Sequence, residues 1–156
     1  MTNKQQLQTK IQELEQQLTE FKYQLSNYKE ITIENAKVGD VLEDGCIVVD
    51  KQGSMTLLAA PASTEVYCQW SKEFSEVFEA LKSQGFNPSQ WFIPTEEQLK
   101  LAYKNCIQHF ASDFFYWSST EVSSTNACFL FFDNGGLSST TKSCSACVRA
   151  FRCVSF

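Results

Sequence analysis

The segment Trp91-Phe92-Ile93-Pro94-Thr95-Glu96-Glu97-Gln98-Leu99 sets an apolar, Pro-stiffened entry directly before a helix. Thr95 with Gln98 three residues later is a capping box, in which each side chain accepts a backbone N–H that the first turn leaves free. Glu96 and Glu97 place negative charge where the helix dipole favours it. Leu99, Ala102, Cys106 and Ile107 then fall on one face, so the helix that starts here packs against a core.

Upstream, Phe74, Val77, Phe78 and Leu81 give a second helix over about Lys72 to Gln84, with Ser71 and Gly85 as caps. Before it, Val38 to Leu42, Cys46 to Val49 and Met55 to Ala59 read as strands of a small antiparallel meander, separated by Glu43-Asp44-Gly45 and Asp50-Lys51-Gln52-Gly53. Downstream, Phe114 to Trp117, Ala127 to Phe132 and Cys147 to Val154 are strand-like, with Asp133-Asn134-Gly135-Gly136 as a turn between the last two.

Residues 1–36 read differently. All six Gly and all three Pro lie after residue 38. Leu7, Ile11, Leu14, Leu18, Phe21, Leu25 and Tyr28 alternate at spacings of four and three, the a/d seam of a coiled coil. Leu7, Leu14, Phe21 and Tyr28 take d; Ile11, Leu18 and Leu25 take a. Gln, Glu, Lys and Thr fill the other faces, and a helix of about 28 residues (~42 Å) with so narrow a stripe has little of its own to bury it against. It is expected to associate with copies of itself, trimer favoured over dimer because Phe21 and Tyr28 are bulky. The alternative is a helix folded back on the rest of the chain.

Composition narrows the function classes. The 156 residues are 43% hydrophobic and 20% charged, as in a globular protein, and the net charge of −5 argues against nucleic-acid binding and against attraction to anionic lipid. Nothing points to membrane insertion. Seven cysteines cannot all pair within one chain. The polar start Met-Thr-Asn-Lys-Gln-Gln lacks the apolar core of a signal peptide, so the thiols are expected mostly unpaired, made in a reducing compartment. A virion or particle surface is then the expected location, and otherwise the cytoplasm.

Five elements in order carry a resemblance: the Trp91 segment, Tyr116-Trp117-Ser118-Ser119-Thr120-Glu121, Phe132-Asp133-Asn134-Gly135, Val148-Arg149-Ala150-Phe151-Arg152, and the opening Val38-Gly39-Asp40 with Asp44-Gly45-Cys46-Ile47-Val48 and Ala59-Ala60-Pro61. Together they resemble the Lcl C-terminal domain-like family over about residues 37–156. The resemblance implies a C-type-lectin-like fold of two helices beside short antiparallel strands. Such domains are borne on surfaces or particles as binding modules. The fold is shared with phage receptor-binding proteins and with variable proteins of diversity-generating retroelements. Trp91 and Trp117 then read as core fillers, and of Arg149 and Arg152 one is expected to be tied to a carboxylate or carbonyls inside the fold.

Between Ser118 and Cys147 the chain carries only Glu121, Asp133 and Lys142 as charges and is dense in Ser, Thr and Asn. Ser123, Ser124, Thr125 and Asn126, with Ser138, Ser139, Thr140, Thr141, Lys142, Ser143 and Ser145, are the small adaptable types that supply hydrogen bonds in paratope-like loops. Aligned on Phe132-Asp133-Asn134-Gly135, the family has an aromatic where Cys128 stands. That implies that the Cys128 face of the strand is buried, leaving Phe129 and Phe131 outward as contact residues; the alternative is that both faces are covered. The codons for such residues lie within reach of asparagine by changes at adenine, as adenine-directed diversification of codons 118–155 would leave them.

Cys144-x-x-Cys147 with Cys153 and His109 offers one cysteine pair where a structural zinc site uses two, and clustered oxygen ligands for calcium are not evident, so no metal or cofactor is expected. No nucleophile with a base is identifiable, so no catalytic residue is assigned; a small enzyme using the Cys144 and Cys147 thiols is a minor alternative. The expectation is an α+β protein, with a coiled-coil oligomerisation stalk over 1–36 and a C-type-lectin-like binding domain over 37–156. It would recognise a host cell-surface protein or glycan from a phage or virus particle, as in a tail fibre. The runner-up is a decoration or stabilising component of a particle, with no receptor.

Overall fold

The computed structural model describes residues 2–27 and 31–155. The chain forms two compact units, Met1–Glu30 and Ile31–Phe156. Together they make a mixed α+β protein with an N-terminal helix and two sheets. Among the described residues no helix is long and apolar enough to cross a membrane.

The first unit is helix α1 (Asn3–Asn27), which buries none of its residues. Its apolar seam, Leu7, Ile11, Leu14, Leu18, Phe21 and Leu25, is between 52% and 74% exposed. Tyr28, expected to continue that seam, lies outside the described residues.

In the second unit, strands β1 (Ile47–Gln52) and β2 (Met55–Ala59) pair through a turn at Gly53. The strand expected over Val38 to Leu42 is a loop with an isolated bridge from Val41 to Ile47. Its turn is held by the Asp40 carboxylate accepting the Lys37 N–H at 2.8 Å. Strand β3 (Val66–Gln69) was not foreseen. Helix α2 (Ser75–Ser83) starts three residues later than expected, because the Ser71 hydroxyl accepts the Phe74 N–H at 2.9 Å and closes a turn before the helix. Its end is as expected: beyond the last turn the N–H groups of Gly85 and Phe86 donate to the Lys82 and Leu81 carbonyls, a Schellman closure with Gly85 at φ +87°. Helix α3 (Glu96–Cys106) carries the complete Thr95/Gln98 capping box.

Strands β4 (Phe115–Glu121), β5 (Asn126–Phe131), β6 (Leu137–Thr141), β7 (Ser145–Val148) and β8 (Phe151–Ser155) complete the unit. The strand orders are β1-β2-β8 in one sheet and β3-β7-β4-β5-β6 in the other. All pairs are antiparallel except β4 with β7, which run parallel at Tyr116 and Cys147. The turn at Asp133 to Gly136 joins β5 to β6, not to the closing strand. A Cβ at Gly135 would lie 2.5 Å from the Tyr103 ring, so only glycine fits there.

One expectation fails because of long-range contact. The single strand expected over Cys147 to Val154 is two, in different sheets, broken at Arg149 and Ala150. Arg149 is 2% exposed and donates to Glu65 Oε1 at 2.9 Å and to the His109 carbonyl at 2.7 Å, with its guanidinium over the Phe110 ring. Tyr116 Oη donates to the same Glu65 oxygen and accepts the Ala111 N–H. Arg149 is thus the arginine tied inside the fold.

The five-stranded sheet is covered on both faces. One face presents Cys68, Ala146, Val148, Trp117, Ala127 and Phe129 to a core shared with Val77 and Leu81 of α2 and with Trp70 and Trp91. The other presents Cys147, Tyr116, Leu130 and Phe132 to Leu99, Ala102 and Cys106 of α3 and to Phe110 and Phe151. Burying each large side chain stabilises the fold by about 1.5–3 kcal/mol.

Candidate functional site

A pocket of about 500 Å³ opens on the second unit where β4 ends, beside the entry to α2 and the segment before α3. Its apolar walls are Trp70, Phe74, Phe78, Trp91, Phe92 and Ile93, and its polar members are Lys72, Ser119 and Glu121. Trp70 leaves β3 and is fixed from three sides. Its backbone N–H donates to the Lys142 carbonyl, its indole N–H donates to the Ser118 carbonyl at 2.8 Å, and its ring meets Phe74 edge-on at 5.6 Å. Phe74 sits at φ +42°, the left-handed conformation that a residue with a Cβ avoids; it is the one non-glycine residue so placed among those described. Trp91 lies between Phe86, edge-on at 5.4 Å, and the Arg152 guanidinium, 5.1 Å above its ring. Phe92 is held by paired backbone hydrogen bonds with Phe151, and the Ser119 N–H donates to the Pro94 carbonyl.

The rim is electrostatic. Glu121 accepts Lys142 Nζ at 2.5 Å and lies 3.6 Å from Lys72 Nζ. The Lys142 hydrogen bond, helped by the charges of Lys142 and Lys72, holds the Glu121 carboxyl below its ordinary value. Lys142 is the hub: Nζ also donates to the Ser124 carbonyl at 3.0 Å and stands 4.7 Å from the Trp70 ring centre, while its N–H donates to the Thr125 carbonyl at 2.8 Å.

The structure therefore brings part of the expected surface together. Lys142 ties Ser124 and Thr125 to Glu121 at the pocket rim, and Asn126 and Thr141 stand opposite each other where β5 begins and β6 ends. Several hydroxyls are spent locally: Ser123 Oγ accepts the Thr125 and Asn126 N–H groups, and Thr141 and Ser143 bond each other. Ser138, Ser139 and Thr140 are not adaptable loop residues but part of β6, facing Phe129, Cys128 and Ala127 in register. Ser145 opens β7 and is half-buried.

Phe129 corrects the expectation of an outward contact residue. It is 5% exposed, packed against Phe115 at 4.4 Å and Trp117 at 6.2 Å, because this face of the strand is core as well. Phe131, at 36%, is the more open of the two and leans on Phe115 and Phe129. The pocket walls were missed altogether. Phe74 and Phe78, spaced i, i+4, read equally well as core, and only their meeting with Phe92 and Ser119 from other elements makes a cavity.

The cysteines are all free thiols. Cys144 and Cys147 belong to cores on opposite faces of the sheet. Hydrogen bonds from Thr141 and Thr140 lower the Cys144 thiol, whereas burial pushes Cys147 up to about 12. Among the described residues no group of three or more His, Cys, Asp or Glu side chains is placed to hold a metal ion. No protein-family model matches the chain, and no curated protein matches it.

Proposed function

We propose that this chain is a non-enzymatic binding protein. Its β-rich unit is a C-type-lectin-like head that recognises a host cell-surface protein or glycan, and α1 is a coiled-coil stalk that joins copies of the chain, three favoured over two. A phage or virus particle is the proposed carrier. The pocket carries this reading: a concave, mostly aromatic surface with few polar groups is the usual form of a ligand site. The exposed seam of α1 supports the stalk, and copies joined there would gain avidity from weakly binding heads.

The test uses the full chain on whole cells and glycan arrays. Ser119→Trp, at an exposed wall position, fills the pocket while keeping the backbone bond to Pro94. Binding is expected to fall at least roughly tenfold with an unchanged circular dichroism spectrum; undiminished binding would refute the assignment of the site. One feature favours a second reading, a particle component without a receptor: β6 is an uncharged edge strand with Ser138 and Ser139 exposed, suited to pairing with a neighbour's strand. On that reading the chain binds no cell or glycan, and Ser119→Trp leaves particle incorporation intact.

A further inference from the structure

The residues flanking the seam of α1 specify a direction. With Leu7, Leu14 and Phe21 at d and Ile11, Leu18 and Leu25 at a, the g positions are Asn3, Lys10, Gln17 and Gln24, and the e positions are Gln8, Glu15 and Lys22. In a parallel, in-register bundle each g residue faces the e residue five places on in the neighbouring chain. Lys10 then meets Glu15, Asn3 meets Gln8 and Gln17 meets Lys22, one attraction and no repulsion. An antiparallel pair overlapping along the whole seam layers Leu7 on Leu25 and Leu14 on Leu18. It faces e with e and g with g, so Glu15 confronts Glu15 of the second copy while Lys10 meets uncharged Gln24. Within its own helix Lys10 pairs with Glu13 at 3.3 Å, but both side chains are more than half exposed, so the ammonium is open to a second carboxylate.

We infer that α1 associates with copies of itself in parallel and in register, placing the C-terminal ends of all the helices at one end of the bundle. The occupant of the exposed seam is a second copy, selected by the Lys10–Glu15 complement. This rests on the self-association proposed above. The consequence is that every head is carried from the same end, as simultaneous attachment to one surface requires.

The test is made on the full chain carrying both Leu7→Cys and Leu25→Cys, oxidised mildly, digested and mapped by mass spectrometry. Links from 7 to 7 and from 25 to 25 between chains are expected. Links from 7 to 25, or an oligomer with neither pattern, overturn the parallel arrangement and leave self-association standing; a monomeric wild-type chain by light scattering overturns both. As an independent arm, Glu15→Lys is expected to raise the dissociation constant of the oligomer severalfold and the added Lys10→Glu to reverse it. An antiparallel bundle, which merely exchanges one like-charged pair for another, would show no reversal.

Discussion

Glu65 joins distant parts of the β-rich unit. Its carboxylate receives Arg149 from the break between β7 and β8 and Tyr116 from the start of β4, while Arg149 reaches on to the carbonyl of His109 after α3. Burying a guanidinium is tolerable only while a partner compensates its charge, and the arginine here is almost wholly buried whereas the glutamate keeps 21% of its side-chain surface. Glu65→Ala therefore leaves an uncompensated buried cation and is expected to cost about 3–5 kcal/mol in urea unfolding. Arg152, two strand positions beyond the break, has no such carboxylate partner among the described residues and lies over Trp91 with a hydrogen bond to Gln90. The two arginines of Val148-Arg149-Ala150-Phe151-Arg152 look alike in the sequence. Only the residue lodged in the core by distant partners is the structural one, and local alternation could not tell which.

Elements announced by local chemistry were legible, and those decided by distant neighbours were not. Helix α3 was plain because Thr95 and Gln98 satisfy one another within four residues; Thr95→Ala removes the hydroxyl that accepts the Gln98 N–H and should lower the thermal midpoint by an amount equivalent to about 1 kcal/mol. The β1/β2 hairpin and the end of α2 were legible for the same reason, a glycine at a turn the backbone needs. Strand β6 was not, since Leu137-Ser138-Ser139-Thr140-Thr141 has no alternation of apolar and polar residues and becomes a strand by pairing with β5. The start of α2 was misplaced because a serine can cap a turn as readily as a helix. The candidate site was half legible: the Ser/Thr loops and Lys142 stood out by composition, while the pocket's walls are drawn from two quoted motifs and from Trp70 to Phe78, and nothing local shows that these segments meet. Phe129 is buried because helices lie over both faces of the sheet, the covered alternative, which the alternation of a single strand does not separate from an open face.

For the whole molecule the thiols set an alkaline limit. Burial raises Cys68 and Cys106 to about 11 and Cys147 to about 12, and raises Cys46 and Tyr116 still further. Each of these thiols would ionise near its ordinary value of 9.0 once unfolded, so above that pH the unfolded chain holds fewer protons than the native one and stability falls. The stabilising contribution is complete below pH 9 and is lost as the pH rises toward 11–12. Denaturant midpoints under reducing conditions are expected to hold steady up to about pH 9 and then decline; a midpoint that stays level to pH 11 would contradict the burial of these groups. The two cores are linked by one further feature, the insertion of β7 between β3 and β4. During synthesis residues 66–69 and 115–121 leave the ribosome well before residues 145–148, so β3 must wait with an unpaired edge until its partner is made. Pairings so distant in sequence form slowly, and the nascent chain spends that interval as an open template for other strands.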